Sequence, residues 1–338
     1  MEVDKLFGLF DSLISPVATY GSVFWLPHII KKVRFQSKNK LSDSWESFEC
    51  ETLNQKCCRM FLSVHKKTSR LAVLGELGRH PLFVNTLAQC LNYKLSMDSR
   101  RNTANLIDHV MTEMDDMARS GLDCWLTRVR KIEGLLDIPR HLKYSKTSGK
   151  HLTSLLKSKF DRYWIDKINE IKTTGSDTTD HNKLRTYKTL KASFTREPYI
   201  MLVRNRNQRS NLTRLRVSSH NLAIERGRKT RPVTPIDQRI CLYCKPEPHN
   251  HPPARPPPTP SVDTEFHFLM QCQYFAIKRG CLFGKMSSII QGFNNLSDEH
   301  KFVTLLTPTS PRAAKIANKC IKIMFDARNK IDLERANI

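Results

Sequence analysis

The sequence predicts a mainly α-helical protein. Apolar residues recur at helical spacing along most of the 338 residues, and helix-start signals precede several of these stripes. Residues 42–62 show the pattern best, because a capping serine (Ser42 or Ser44) precedes a long stripe. That stripe consists of Trp45, Phe48, Leu53, Cys57, Met60 and Phe61. A chain of this length suggests about two domains.

The N-terminal half is predicted to be a succession of helices. The first helix carries Phe7, Phe10, Leu13 and Ile14, and is followed by turn and strand-like segments. Pro27 is expected to end the apolar stretch in this region, and Pro81 to begin a later helix. Further helices are predicted at about 103–118, 121–132 and 151–170. Residues 171–183 are polar and are interpreted as a linker.

The C-terminal half combines an extended segment with further helices. Residues 245–260 hold eight of the seventeen prolines, so they are predicted to be neither helix nor central strand. A short helix is expected from about Glu265 and another through 275–291. Two more follow: Ser297 is the predicted cap of the first, and Ser310-Pro311 the predicted start of the second.

The charge of the chain is strongly positive and concentrated in one segment. Lys and Arg exceed Asp and Glu by 56 to 32, a formal charge of +24. Residues 181–240 hold 15 basic and 3 acidic side chains, so half of the excess lies in sixty residues. Such a segment favours a polyanionic partner.

No apolar run approaches about 18 residues and the N-terminus lacks a signal-peptide pattern, so we expect an intracellular protein, nuclear or cytoplasmic, without membrane spans.

Two pairs of ligand-type residues predict a zinc site. Cys241 and Cys244 form a CxxC pair, and His267 and Cys272 follow, giving C-x2-C-x22-H-x4-C. Zinc prefers four such ligands in a tetrahedron. Five residues cover about 500° of helix, so we expect the helix to end near Cys272 and the chain to bend there. His249 and His251 in the spacer remain alternatives to His267. The other cysteines are interpreted as core residues.

The basic block, residues 204–231, is the predicted nucleic-acid-binding segment. Arginine dominates it, and the guanidinium fork suits bidentate contacts to phosphate. Interleaved apolar residues indicate that part of the block packs against a core. The candidate binding residues are Arg204, Arg206, Arg209, Arg214, Arg216, Arg226, Arg228, Lys229 and Arg231.

Several motifs together resemble one known family. Their order along the chain is Leu9–Trp25, Leu71–Leu82, Leu212–Pro232, the CxxC pair and Asp263–Tyr274. This succession resembles the C-terminal region of non-LTR (LINE-type, jockey-like) retrotransposon reverse transcriptases, downstream of the catalytic palm. The chain departs from the family in having Gln273 where proline often follows the last cysteine, and in an expanded proline-rich loop.

The resemblance implies a division of the chain into four regions. These are a thumb-like helical region (1–100), a helical linker region (101–183), a basic nucleic-acid-binding segment (184–240) and a CCHC zinc module with C-terminal helices (241–338). In the family such regions engage RNA and DNA. The resemblance also allows a full-length reverse transcriptase as a partner in trans. Neither a membrane nor a small-molecule substrate is expected.

The catalytic carboxylates of a polymerase are not recognisable in this sequence. Polymerisation requires metal-binding carboxylates, two of them in an aromatic-x-Asp-Asp hairpin. Asp115-Asp116 is preceded by Glu113 rather than an aromatic residue, and Met111, Met114 and Met117 follow helical spacing, which favours a structural helix. We therefore expect a catalytically incomplete, nucleic-acid-binding fragment. The alternative is a host zinc-binding adaptor whose proline-rich loop docks to proteins.

Overall fold

A computed structural model describes residues 3–32, 45, 48–101, 105–138, 146–171, 183–244 and 261–336. These residues are mainly helical and include no β-strand, although two isolated antiparallel bridges occur. The α-helices of the first half are Val3–Leu9, Ser15–Ala18, Ser22–Lys32, Glu49–Leu62, Arg70–Leu77, Leu82–Asp98, Leu106–Arg119, Trp125–Leu135 and Lys146–Asn169. Those of the second half are Arg185–Leu190, Pro198–Leu202, Ser210–Arg216, Ala223–Arg226, Ala276–Ser287, Asp298–Leu306 and Pro311–Ala336. The prediction of a mainly helical protein is confirmed.

Shorter helical turns complete the fold. Two segments form π-helices, Phe10–Ile14 and His267–Gln271. The 3₁₀ turns are Arg206–Gln208, Ile236–Gln238, Gln273–Phe275 and Phe293–Asn295. No single described helix is long and apolar enough to cross a membrane. One bent pair, Val3–Ala18 with Ser22–Ile30, meets the length and composition of a broken span, as buried core helices also do.

The residues separate into two compact units. The C-terminal unit consists of Met1–Lys5, Cys58–Gly78 and Ile165–Ile338, and the N-terminal unit of Leu6–Cys57 and Arg79–Trp164. In the C-terminal unit the long helix Pro311–Ala336 packs against several shorter ones, among them Ser210–Arg216 and Ala276–Ser287. The four-region division along the sequence stays a prediction.

Most predicted helix starts are confirmed. Ser297 caps Asp298–Leu306 by accepting a hydrogen bond from the His300 N–H, and the Ser310 hydroxyl accepts one from the Ala313 N–H at the start of the last helix. Pro81 immediately precedes the helix Leu82–Asp98. The helix predicted at 42–62 begins only at Glu49, because the described Phe48 lies outside it, so the predicted start at Ser42 or Ser44 is wrong. The linker 171–183 and the segment 245–260 lie largely or entirely outside the described residues.

The first predicted helix is confirmed, since Val3–Leu9 and Phe10–Ile14 are helical. The strand-like segments expected after it and the end of the apolar stretch at Pro27 are wrong, because Pro27 lies inside the helix Ser22–Lys32. A proline within a helix lacks the N–H that would bond the carbonyl four residues earlier. That carbonyl belongs to Val23, and it accepts a hydrogen bond from the Trp125 indole N–H at 2.7 Å. A distant side chain therefore satisfies the group that Pro27 leaves unpaired.

Glu51 joins two helices of the N-terminal unit. Its buried carboxyl accepts hydrogen bonds from the Leu82 N–H at 2.7 Å and from the Asn54 side chain at 2.9 Å. It therefore caps the helix Leu82–Asp98, whose own N-cap residue supplies no side-chain acceptor. Burial raises the pKa of Glu51 to about 7, although its hydrogen bonds and Arg79 act in the opposite direction.

This raised pKa predicts a stability that falls with rising pH. The folded chain retains the Glu51 proton up to about pH 7, whereas the unfolded chain releases it near pH 4.5. Glu51 therefore contributes fully to the free energy of unfolding at low pH. This contribution decreases between the two pKa values, by about 3 kcal/mol in all. Urea unfolding at both ends of this range measures the change. Glu51→Gln should remove that part of the pH dependence, and an identical pH profile in the variant would contradict the assignment.

Candidate metal centre and basic surface

The CxxC pair is held by a short backbone pairing across the proline-rich segment. Ile240 and Val262 form an antiparallel bridge. Next to it, the Cys241 N–H donates to the Ser261 carbonyl and the Asp263 N–H donates to the Arg239 carbonyl, each at 2.9 Å. The described residues on the two sides of 245–260 are therefore joined by backbone hydrogen bonds. This pairing holds the CxxC pair next to the segment that leads to His267 and Cys272.

The second ligand pair lies at the two ends of a π-helical turn. In the segment His267–Gln271 the Cys272 N–H donates to the His267 carbonyl at 2.8 Å, which is a bond over five residues. The helix ends at Cys272, as predicted. The wider turn places residues five apart closer to one face than an α-helix would, and such turns often occur at functional sites. Thr264 fixes its start by accepting a hydrogen bond from the His267 N–H.

The four candidate ligand atoms converge. Those of Cys241, Cys244, His267 and Cys272 all lie within 4.8 Å of one another. The Cys244 sulfur is 3.4 Å from both the Cys272 sulfur and the His267 Nε2, and the Cys241 and Cys272 sulfurs are 3.9 Å apart. With Zn–S bonds of 2.3 Å, the sulfurs of a regular tetrahedron are about 3.7 Å apart. The cluster therefore has the size that a tetrahedral metal site requires and could hold a metal ion.

The thiols of this cluster strongly influence one another. Hydrogen bonding from Cys272 lowers the pKa of Cys241 to about 3, with His267 acting in the same direction. The neighbouring Cys241 in turn raises the pKa of Cys272, and burial raises that of Cys244. Protein groups alone therefore favour one thiolate among the three. A bound dication would favour all three, because thiolate is the form that ligates metal.

Buried polar residues next to the candidate metal centre fix the position of its CxxC turn. The Asp263 carboxylate, fully buried, accepts hydrogen bonds from Arg328 on the last helix at 2.5 and 3.0 Å. It also accepts one from the Ala223 N–H at 2.6 Å, which joins it to the basic block. The Arg328 guanidinium lies 4.5 Å from the ring centre of Tyr243, one of the two residues between Cys241 and Cys244. These contacts fix the CxxC turn relative to the last helix and the block.

A second buried carboxylate lies two residues before His267. Glu265 is fully buried and is bound by Arg185 and, at 2.8 Å, by the His220 Nε2. Burial alone would raise its pKa, but Arg185 and His220 outweigh that effect and lower it. Neither Asp263 nor Glu265 was predicted to belong to the site. The available signal was two acidic residues within four positions of a predicted ligand in a strongly basic chain. His249 and His251, the alternatives to His267, lie outside the described residues.

The structure separates the predicted binding residues of the basic block into two groups. Exposed side chains belong to Arg204, Arg206, Arg214, Lys229 and Arg231. Arg226 is half-buried, and Arg228 is bonded to the buried Glu225 at 3.3 Å.

Arg209 and Arg216 are buried, and this corrects their place among the candidate binding residues. Arg209 is 1 % exposed; its guanidinium donates to the Val203 carbonyl and lies 4.4 Å from the ring centre of Phe61. Arg216 is fully buried and pairs with Glu76 at 2.8 Å and Glu197 at 2.7 Å. Neither guanidinium can reach a phosphate in this fold, so their roles are structural.

Asp115 and Asp116 lie on the helix Leu106–Arg119, as their spacing predicts. Asp115 pairs with Arg101 and, at 2.5 Å, with Arg130. Asp116 pairs with Arg119 on the next turn of the same helix. The interpretation of this dipeptide as part of a helix is confirmed.

Comparison with known proteins identifies no relative of this chain. No protein-family model, no curated protein and no solved structure matches it.

Proposed function

We propose that this chain binds RNA or DNA through the exposed cations of the basic block, and that its Cys/His cluster is a CCHC zinc module supporting that surface. One observation carries the proposal. Arg206, Arg214, Lys229 and Arg231 are exposed, and in the described part of the chain none of them pairs with a carboxylate. Unneutralised arginine and lysine on one segment are the electrostatic signature of nucleic-acid binding.

Most of the acidic residues of this segment are buried and neutralise internal cations instead of exposed ones. Of the three acidic residues between 181 and 240, Glu197 and Glu225 are buried. Glu197 neutralises the buried Arg216 and Lys191, the latter at 2.6 Å. Since the acidic groups neutralise internal cations, they leave the exposed cations available to a polyanion.

Zinc is the metal that best fits the donor set. Three thiols and one imidazole at tetrahedral spacing, buried behind a closed turn, match structural zinc sites, which leave no open position. The Asp263 contacts to Ala223 and Arg328 connect this cluster to the basic block. In the proposed function the metal therefore orders the end of the nucleic-acid surface and takes no part in a reaction.

The resemblance to non-LTR reverse transcriptases gives the proposal its biological context. The ordered motifs support a C-terminal region that holds template RNA or target DNA for a polymerase domain outside this chain. The proposed role is binding, without polymerisation by the chain alone. A full-length reverse transcriptase acting in trans is the protein partner that fits this role.

Affinity for nucleic acid should fall steeply with salt. If the four unpaired cations each contact a phosphate, the logarithm of the binding constant falls with the logarithm of salt concentration with a slope of about −3 on single strands. Fluorescence anisotropy with single-stranded RNA and DNA oligonucleotides, between about 50 and 200 mM salt, measures this slope. Arg214→Ala should weaken binding roughly 4-fold near 0.15 M salt and make the slope shallower by about 0.7.

Arg119→Ala provides the matched control. Arg119 is also an exposed arginine near a helix end, but it lies outside the basic block and pairs with Asp116. Its removal should leave the affinity unchanged. A chain that binds neither RNA nor DNA at low salt, or binds without salt dependence, would refute the proposed function. Recovery of protein partners after nuclease treatment would then favour the adaptor alternative.

A further inference from the structure

A second basic segment follows the helix Glu49–Leu62. The helix ends with Ser63 in the left-handed region (φ 56°), and the Val64 N–H donates to the Arg59 carbonyl at 3.1 Å. This is a Schellman-type end, which fixes the direction of the chain that leaves the helix. The loop that follows presents the exposed side chains of His65, Lys66 and Lys67.

Two arginines of the basic block hold this helix end. The Arg214 Nε donates to the Ser63 carbonyl at 2.7 Å, and an Arg206 Nη donates to the Met60 carbonyl at 3.1 Å. Met60 lies in the last turn of the helix, whose carbonyls lack the usual α-helical partner, and Ser63 is the first residue beyond the helix. The exposed arginines of the block and the 63–67 loop therefore lie side by side, although about 150 residues of sequence separate them.

Side-chain bonds fix the rest of the loop in the same place. The Ser219 hydroxyl accepts a hydrogen bond from the His65 N–H at 2.9 Å, and the Thr68 hydroxyl lies 3.0 Å from it. The Lys183 ammonium donates to the Lys67 carbonyl at 3.0 Å. The loop is thus attached to the basic block at several points.

The attached loop concentrates positive charge around His65. Its pKa is lowered, by desolvation first and then by the charges of Lys229, Lys66, Lys67 and Lys183. In the described part of the chain, neither Lys66 nor Lys67 pairs with a carboxylate. The sequence has no acidic residue between Glu51 and Glu76 that could do so locally. Lys66, Lys67 and Lys229 therefore add positive charge around His65, and among the residues that the structure describes none of the three pairs with a carboxylate.

We propose that Lys66 and Lys67, together with Lys229, form a phosphate-binding track that continues the nucleic-acid surface of the basic block. This inference rests on the proposed function and assigns it a second element. Nucleic acid is the polyanion that fits, because its backbone presents successive phosphates and the loop that carries Lys66 and Lys67 is bonded at Ser63 to Arg214 of the basic block. Lysine serves here as a point charge for phosphate rather than as a reader of base sequence.

The test is the double variant Lys66→Ala/Lys67→Ala in the full chain. Loss of two phosphate contacts should weaken binding of single-stranded RNA or DNA about 10-fold near 0.15 M salt and make the salt slope shallower by about 1.4. The control is Lys315→Ala/Lys319→Ala, which removes the same charge from exposed positions of the helix Pro311–Ala336. It should change neither quantity. Parallel titrations with RNA and DNA show which of the two polyanions the track prefers.

The position of His65 supplies a second readout. A phosphate bound between these lysines should raise the pKa of His65 and shift its imidazole resonances, which the variant His65→Gln identifies. Wild-type binding with unchanged affinity and slope in Lys66→Ala/Lys67→Ala would overturn the track and leave the proposed function intact. An equal loss in both double variants would also overturn it, since only net charge would then matter. Binding to phosphatidylserine vesicles but to no oligonucleotide would overturn both proposals.

Discussion

Serine in place of Cys272 should abolish zinc binding by the purified chain. The wild-type chain is expected to bind one zinc ion, measurable by elemental analysis, and to show the visible absorption of tetrahedral thiolate coordination when cobalt replaces zinc. Cys272 is the ligand whose loss affects the cluster most, because its sulfur lies 3.4 Å from that of Cys244 and 3.9 Å from that of Cys241. The loss in affinity should exceed the 10- to 100-fold that removal of an outer hydrogen bond to a ligand costs.

Loss of the metal should also unfold the surrounding turn. Structural zinc supplies on the order of 10 kcal/mol to small zinc modules at neutral pH. Hydrogen exchange in residues 239–244 and 261–275 should therefore become faster in Cys272→Ser, and in the wild-type chain after chelation. The matched control is Cys281→Ser, because Cys281 is an exposed cysteine outside the cluster. Full zinc content in Cys272→Ser, or equal loss in Cys281→Ser, would contradict the proposed site.

The four residues of the Cys/His cluster could be identified from sequence because their spacing is local information. A CxxC pair and a His-x4-Cys pair are each short, and zinc chemistry restricts which residues can serve. How the second pair converges was only partly predictable. The helix end at Cys272 was predictable, because five residues of an α-helix cover about 500° and would place His267 and Cys272 on different faces. The π-helical turn that places the two side chains close together depends on packing. The contacts of Asp263 with Ala223 and Arg328 join segments far apart in sequence, which no local pattern encodes.

The difference between local patterns and contacts across distant segments also explains which helix predictions were right. Ser297 and Ser310 cap the helices that they precede, so local chemistry was sufficient to predict them. The helix Ser210–Arg216 instead receives its cap from Asn318, whose side-chain oxygen accepts hydrogen bonds from the Asn211 and Leu212 N–H groups. Pro27 was misjudged for the same reason, since the Trp125 indole that satisfies the Val23 carbonyl is about 100 residues away.

The basic block shows the limit of charge counting. Composition correctly located a dense arginine segment, but Arg214 and Arg216 have the same residue type on the same helix and opposite environments. Arg214 is exposed and Arg216 is fully buried, because residues two positions apart on a helix point about 200° from each other. The partner that determines the role of Arg216 is Glu76, which lies 140 residues earlier in the sequence.

The backbone around Gly78 explains how Glu76 reaches Arg216. Leu77 and Arg196 form an antiparallel bridge, and the Glu197 N–H donates to the Glu76 carbonyl at 3.0 Å. Gly78 permits this approach, since it has a φ of +54° and a Cβ there would lie 2.4 Å from the Arg196 nitrogen. Two carboxylates are thereby held on one side of the Arg216 guanidinium.

Replacing Arg216 with alanine should lower the free energy of unfolding by about 3–5 kcal/mol, the cost of breaking a buried ion pair from one side. Glu76 and Glu197 would remain buried without their main counter-charge, and the Leu306 carbonyl, which accepts from Arg216 at 2.6 Å, would lose its donor. Burial alone would lower the pKa of Arg216, but Glu76 and Glu197 outweigh it and raise that pKa. The guanidinium therefore stays charged, and the loss should persist at every pH where both carboxylates are ionised. Urea denaturation measures it.

Arg214→Ala separates the structural from the binding role on the same helix. Its loss removes one exposed hydrogen bond to the Ser63 carbonyl and should cost less than about 1 kcal/mol. The two variants should thus show opposite phenotypes. Arg216→Ala should be unstable, with an unchanged salt slope under conditions where it remains folded, whereas Arg214→Ala should be stable with a shallower slope. If Arg216→Ala unfolds like the wild-type chain and instead reduces the slope, then Arg216 contacts phosphate, and the buried pair with Glu76 is wrong.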